Sequence, residues 1–214
     1  MTRCVVFDLD GTLVDSVPDL AACLNRLMAA RGLAPFGEPE TQAMVGDGAK
    51  ALLERAFAAR GAVLDAAGLA AFLDDYTAHA AVLTRPYPGV VETLEALRAD
   101  GFVLAVCTNK PEAPARALLD ALGLTRFFAA IGGGDSYPVR KPDPAHLLAV
   151  IAAAGCAPGR AVMVGDHHND IHAARGAGVR SVWARWGYGA EVSGADAEAA
   201  AFGDVVRVVA GFGV

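Results

Sequence analysis

Cysteine is scarce in this chain: Cys4, Cys23, Cys107 and Cys156 are its only four, and they share no spacing. That scatter argues against a disulfide scaffold or a Cys-based zinc module. The thiols read instead as small core residues, suited to a reducing compartment. Basic charge is also short. Eighteen Lys and Arg stand against 24 Asp and Glu, for a net charge of −6, which argues against a broad nucleic-acid surface. No apolar run reaches membrane-spanning length without a charge or a glycine. The first strand-like run begins by Arg3, which leaves no room for a signal peptide, so a cytoplasmic location is expected. Internal repeats and low-complexity linkers are missing too. What is present is 214 residues, 54% hydrophobic and 20% charged, enough for one large domain or a core with a small second unit.

Five short apolar runs read as strands, at residues 4–7, 102–107, 128–131, 161–164 and 181–184. Helical patterns at 90–98, 112–122, 144–154 and 170–177 fall between the later ones. Strands alternating with helices imply an α/β fold, a doubly wound parallel sheet with right-handed crossovers. The long interval between the first two runs departs from this rhythm. It is rich in Ala and Leu at helical spacing, with Leu20, Leu24, Leu27 and Met28 on one face. The expected organisation is a catalytic core over 1–17 and 84–214, with a helical cap inserted at 18–83 and Tyr87-Pro88-Gly89 as the return hinge.

The stretch FDLDGTLVDS places Asp8 and Asp10 two residues apart where the first strand ends. Residues i and i+2 of a strand share a face, and paired carboxylates repel unless a cation intervenes. Ligands of open α/β sheets bind at the carboxyl ends of the strands. Asp8, Thr108, Gly132–Asp135 and Asp166 each follow a strand-like run and should converge there. Asp166 and Asp170 in GDHHND add carboxylates, Lys141 supplies a cation, and Thr108 and Asn109 supply donors. Such an oxygen-rich site suits Mg²⁺. With phosphate held by Gly11, Thr108, Asn109 and Lys141, one aspartate can attack phosphorus while the other transfers protons.

FDLDGT, CTNK, RKPDP and GDHHND, in that order, resemble the four motifs of the haloacid dehalogenase superfamily phosphatases, over essentially the whole chain. Within the superfamily, VGDGAKALLERAF and GDHHNDIHAARGAG are similar to the bacterial phosphoglycolate phosphatase family. The resemblance implies Asp8 as nucleophile, and Asp10 as acid–base with its backbone carbonyl on the metal. It also implies Thr108 and Lys141 as phosphate ligands, Asp166 on Mg²⁺, and Asp170 as a support. His167 stands where a small Ser is usual. The implied substrate is 2-phosphoglycolate or a similar small phosphorylated metabolite, and the protein is expected to be a monomer or homodimer without nucleic-acid or membrane partners.

Each residue also has an ordinary reading. Asp10-Gly11 can be only a turn, Thr108 can cap the next helix, and Asp170 can answer a helix dipole. His167 and His168 are adjacent and should point apart, which argues against a metal site. Trp183, Trp186 and Tyr188 read as strand packing and loop anchors. Gly46–Ala51 matches GxGxxA formally, but it follows no strand and is not a dinucleotide fingerprint. Its better reading is a tight helix start whose free N–H groups, with Gly46, Gly48 and Lys50, receive a small carboxylate. Two rival functions stay open: a phosphosugar mutase on the same scaffold, and a receiver-like module that accepts phosphate on Asp.

Overall fold

The computed structural model describes residues 2–189 and 192–213. In β1 (Arg3–Phe7) side chains alternate between two faces, and both faces are buried. Val5 and Phe7 join one apolar cluster, while Cys4 and Val6 join another. A strand apolar on both faces belongs at the centre of a covered parallel sheet. The sheet has six strands in the order β5-β4-β1-β6-β7-β8. The partners are β4 (Phe102–Cys107), β5 (Phe128–Gly132), β6 (Ala161–Gly165), β7 (Arg180–Ala184) and β8 (Ala197–Ala199). Every pairing is parallel.

Helices cover the two faces. Against Val5 and Phe7 lie α5 (Val90–Ala99), α6 (Glu112–Ala121) and α9 (Val205–Gly211). Against Cys4 and Val6 lie α7 (Pro144–Ala153) and α8 (His168–Ala177). Four further helices, α1 (Val17–Ala30), α2 (Glu38–Gln42), α3 (Ala49–Ala59) and α4 (Ala66–His79), run between β2 (Val14–Asp15) and β3 (Arg85–Pro86). Those two short strands pair antiparallel. The outgoing and returning chains therefore meet at a ribbon of 14–15 with 85–86, just before the expected hinge. Of that expected hinge, Tyr87 donates to Leu13 O at 3.1 Å, and Gly89 starts α5 from a left-handed conformation.

Three features escaped the sequence pattern: the ribbon, β8 and α9. The ribbon strands have two residues each, too few for any periodicity. Strand β8 is a three-residue edge carrying Glu198, the kind of short charged edge that avoids further pairing. Among the described residues, no helix is long and apolar enough to cross a membrane.

Register sets the site. Phe7 lies level with Val106 on one side and Val164 on the other. The next residues of three adjacent strands therefore emerge together at one rim. Asp8 N donates to Val164 O, and Thr108 N donates to Gly132 O, each at 2.9 Å.

Candidate active site

Asp8 leaves the central strand almost wholly buried. Lys141 Nζ donates to Asp8 Oδ1 at 2.9 Å, to Asp170 Oδ1 at 2.6 Å and to Cys107 O at 2.5 Å. Asp170 is the third residue of α8, and its other oxygen accepts the His167 N–H at 3.0 Å. It thus serves both the helix start and the lysine. Gly165 has to lack a side chain, because a Cβ there would collide with the Asp170 carboxylate. Asp166 accepts from Thr12 Oγ1 at 2.8 Å and from Tyr188 N at 2.8 Å.

Oxygens of Asp8, Asp166 and Asp170, all buried, lie within 4.8 Å of one another. Three carboxylates thus face the single ammonium of Lys141, a surplus of two negative charges. The strain is visible in the protonation of Asp8 and Asp166. Burial, helped by Asp170 and partly offset by Lys141, pushes Asp8 up to about 6. Burial, then Asp8 and Asp170, pushes Asp166 up to about 7 despite donors from Thr12, Tyr188 and Gly189. Burial opposes the charge of Lys141 as well, but Asp170 and Asp8 outweigh it and hold the lysine above its ordinary range. A divalent cation removes this surplus, and an all-oxygen donor set fits a hard ion. The residues present therefore fit a metal of the Mg²⁺ type.

Asp10 has a separate set of partners. Ser16 Oγ donates to it at 2.5 Å, and Lys110 Nζ lies 2.9 and 3.2 Å from its two oxygens. Lys110 also meets the hydroxyl of Tyr76, on α4, at 2.5 Å. Asp8, Asp10, Thr108, Asn109 and Lys110 all line one cavity. Its apolar walls come from the inserted segment, with Val45 from the loop before α3 and Leu52, Phe72 and Leu73 from its helices among them. The sequence reading passed over Lys110. The available signal was its position in CTNKP, a lysine before proline shortly after a strand, and a lysine before proline also singles out Lys141 in RKP.

The loop before α3 rests directly on the core. Gly46 O accepts from Asn109 Nδ2 at 3.0 Å and from Asn169 Nδ2 at 3.3 Å. Asn169 also donates to Asp47 Oδ1 at 2.7 Å. Gly48 has φ +88°, and a Cβ there would lie 2.8 Å from Asn109 O. Gly46, Gly48 and Ala49 line the cavity, but Lys50 does not follow them. It is exposed and sits 3.7 Å from Glu54 one turn on, because its place on α3 points it to solvent. Asn109 differs from expectation too: its amide hydrogens reach Gly46 O and Lys141 O, the latter at 2.9 Å. It ties loops together instead of offering those donors to a ligand. Thr108 does not cap α6, whose N-cap is Pro111. Its hydroxyl accepts from Lys110 N at 3.1 Å and shapes that turn.

His167 and His168 do not point apart. Their ring centroids are 4.0 Å from each other, and together with Asp47 they form a second cluster of ligand-type atoms. The reason is local: His167 is the extended N-cap of α8 and His168 its first helical residue, so the alternation of a strand does not apply. Trp186 and Tyr188 are loop anchors, as expected. Trp186 Nε1 donates to Thr12 O at 3.0 Å, and Tyr188 Oη accepts from Ser16 N at 2.7 Å.

Residues 2–178 match the family model of the haloacid dehalogenase-like hydrolases. The chain belongs to that family. It is 49% identical over 187 residues to a phosphoglycolate phosphatase of Agrobacterium fabrum, covering 86% of this chain and 80% of that one. It is 48% identical over 210 residues to a phosphoglycolate phosphatase of Caulobacter vibrioides, covering 95% and 89%. A crystal structure of a predicted phosphoglycolate phosphatase from Haemophilus somnus superposes with a TM-score of 0.89 at 34% identity, covering 97% of both chains. The protein CbbY of Rhodobacter sphaeroides, solved in complex with phosphate, superposes at 0.80 with 25% identity, covering 96% of each chain. This family member is accordingly a phosphatase of the phosphoglycolate phosphatase type, and its strand-end carboxylates lie in the matched region.

Proposed function

We propose that this phosphatase hydrolyses a small phosphorylated acid, 2-phosphoglycolate above all, through a phosphoenzyme on Asp8. The observation that carries the reading is the setting of Asp8. It is buried at the end of the central strand against Lys141 and lines the cavity shared with Asp10. In the first step an Asp8 oxygen bonds to phosphorus, the bond to the leaving oxygen breaks, and Asp10 gives that oxygen its proton. In the second step Asp10 takes a proton from water as the water bonds to phosphorus, and the bond to Asp8 breaks to release phosphate. Asp8, Asp166 and the main-chain carbonyl of Asp10 are the expected holders of Mg²⁺, with Asp170 in support. When bound, the ion neutralises the charge of the phosphoryl group. The helices between β2 and β3, over about 18–83, act as a cap that excludes water from the first step. Four free cysteines, three of them buried, support a reducing, cytoplasmic setting.

The test is phosphate release from a panel of small phosphoesters, with and without Mg²⁺. We expect 2-phosphoglycolate to lead the panel and EDTA to abolish turnover, with Mg²⁺ restoring it. Turnover indifferent to EDTA removes the metal from the reading. A requirement for a sugar bisphosphate primer identifies a mutase, and stable phosphoenzyme without turnover a receiver-like module.

A further inference from the structure

Lys110 is a buried lysine that the two-step chemistry above does not use. Its side chain is 3% exposed, yet it borders the cavity. Leu52, Phe72 and Leu73 also line that cavity and give it apolar walls. Burying an ammonium beside such walls is costly unless acceptors surround it. Its acceptors here are the Asp10 carboxylate and the Tyr76 hydroxyl. An ammonium has three donors, and the two Asp10 oxygens lie together on one side of it.

We propose that Lys110 is the residue that recognises the carboxylate of the leaving group, and so selects phosphorylated acids over neutral phosphoesters. This rests on the phosphorylated-acid reading above. The geometry follows from Asp10. A general acid has to come within about 2.6–3.2 Å of the oxygen it protonates. Lys110 Nζ lies 2.9 Å from Asp10 Oδ1, which places it within roughly 6 Å of the leaving oxygen when Asp10 reaches it through that atom. In 2-phosphoglycolate the carboxylate carbon is two bonds from that oxygen, so its oxygens extend into this interval. Lys141 is held by Asp8 and Asp170, and among the described residues that line the cavity Lys110 is the cation. Tyr76 belongs to α4, an inserted helix, and its ring also lies 4.2 Å from Lys110 Nζ. The ammonium is thus aimed by the inserted helices, and recognition of the carboxylate is tied to their position over the core.

The experiment compares kcat/KM for 2-phosphoglycolate with that for ethyl phosphate, which replaces the carboxylate by a methyl group. Wild type is expected to show a large ratio in favour of 2-phosphoglycolate. Lys110→Met, which keeps the length and removes the charge, should lower that ratio by at least about a hundredfold, because a site built around a polar partner discriminates strongly for it. Ethyl phosphate controls for any disturbance of Asp10, which affects both esters. Tyr76→Phe is a second, nearly isosteric variant, in case the first folds poorly. It should lower the ratio several-fold through a higher KM for 2-phosphoglycolate alone. A large wild-type ratio that survives both substitutions overturns the Lys110 assignment and leaves the substrate reading standing, with Lys110 only positioning Asp10. A wild-type ratio near one overturns both together.

Discussion

Asp8 meets Lys141 and Asp10 meets Lys110, so two carboxylates on one short stretch of chain are answered by different cations. Their substitutions should differ accordingly. Asp8→Asn should abolish turnover by several orders of magnitude, since an amide cannot form the phosphoenzyme. Burial disfavours the ionised Asp8, so the same variant should melt at a higher temperature than wild type in EDTA at pH 8. Retained hydrolysis, or a lower melting point in EDTA, contradicts that account of the site. Asp10→Asn should lose about 10²–10⁴-fold with an alkyl ester and much less with an aryl ester, whose leaving group departs without protonation. Rates of phosphoenzyme formation on both esters decide the matter, and equal losses count against a proton-transfer role. At this scale the sequence was informative about acids and weaker about bases. Asp8, Asp10 and Asp166 could be read from strand ends, whereas Lys110 takes its meaning from Tyr76, 34 positions away in the chain.

At the scale of elements, the decisive piece is the turn into α3 and the core loops beneath it. Asn109 and Asn169 both donate to Gly46 O, and Asn169 also holds Asp47. Asn169→Ala removes two of these hydrogen bonds, each contributing about 0.5–1.5 kcal/mol net. It should therefore raise KM for every ester roughly five- to 150-fold, with the steady-state rate at saturation less affected. A change in kcat alone would place Asn169 in the chemistry and not in the docking. Gly48→Val should be worse, because its φ of +88° and its contact with Asn109 O leave no room for a side chain. Both 2-phosphoglycolate and an aryl phosphate should suffer together, measured as parallel losses in kcat/KM. A selective loss for the acid would return carboxylate recognition to this loop. The sequence marked the loop as a tight helix start. Its docking was not legible, because a glycine's neighbours across the seam leave no trace in its own local pattern.

For the whole molecule, metal and stability are linked through the buried acids. Asp8 and Asp166 titrate above the ordinary carboxyl range, at about 6 and about 7. Between about pH 4 and 7 the metal-free folded protein therefore holds more protons on these groups than the unfolded chain does. Their effect is to lower stability as pH rises through that window. A bound divalent cation offsets this by favouring the ionised forms. The gain in melting temperature on adding Mg²⁺ should accordingly be small near pH 4–5 and reach its full size above pH 7. Thermal melts with Mg²⁺ or EDTA across that range provide the check, and a gain independent of pH would point to binding elsewhere.

The central strands, the helices between them and the long helical interval were readable from the chain alone, because each carries its own pattern of apolar residues over four or more positions. Lys141 was expected as the cation among the strand-end carboxylates, and it meets Asp8, 133 positions away; Lys141 itself follows no strand directly. Other features were decided only by the folded molecule. The two-residue ribbon and the short edge strand are too brief to carry a pattern. The orientation of Lys50 towards Glu54, and the approach of His167 to His168, depend on which face of a helix or cap meets solvent. The Tyr76–Lys110–Asp10 contact joins three segments that are separate in sequence. Local periodicity records which side of an element is buried, but the partner it is buried against is set by how the elements come together in space.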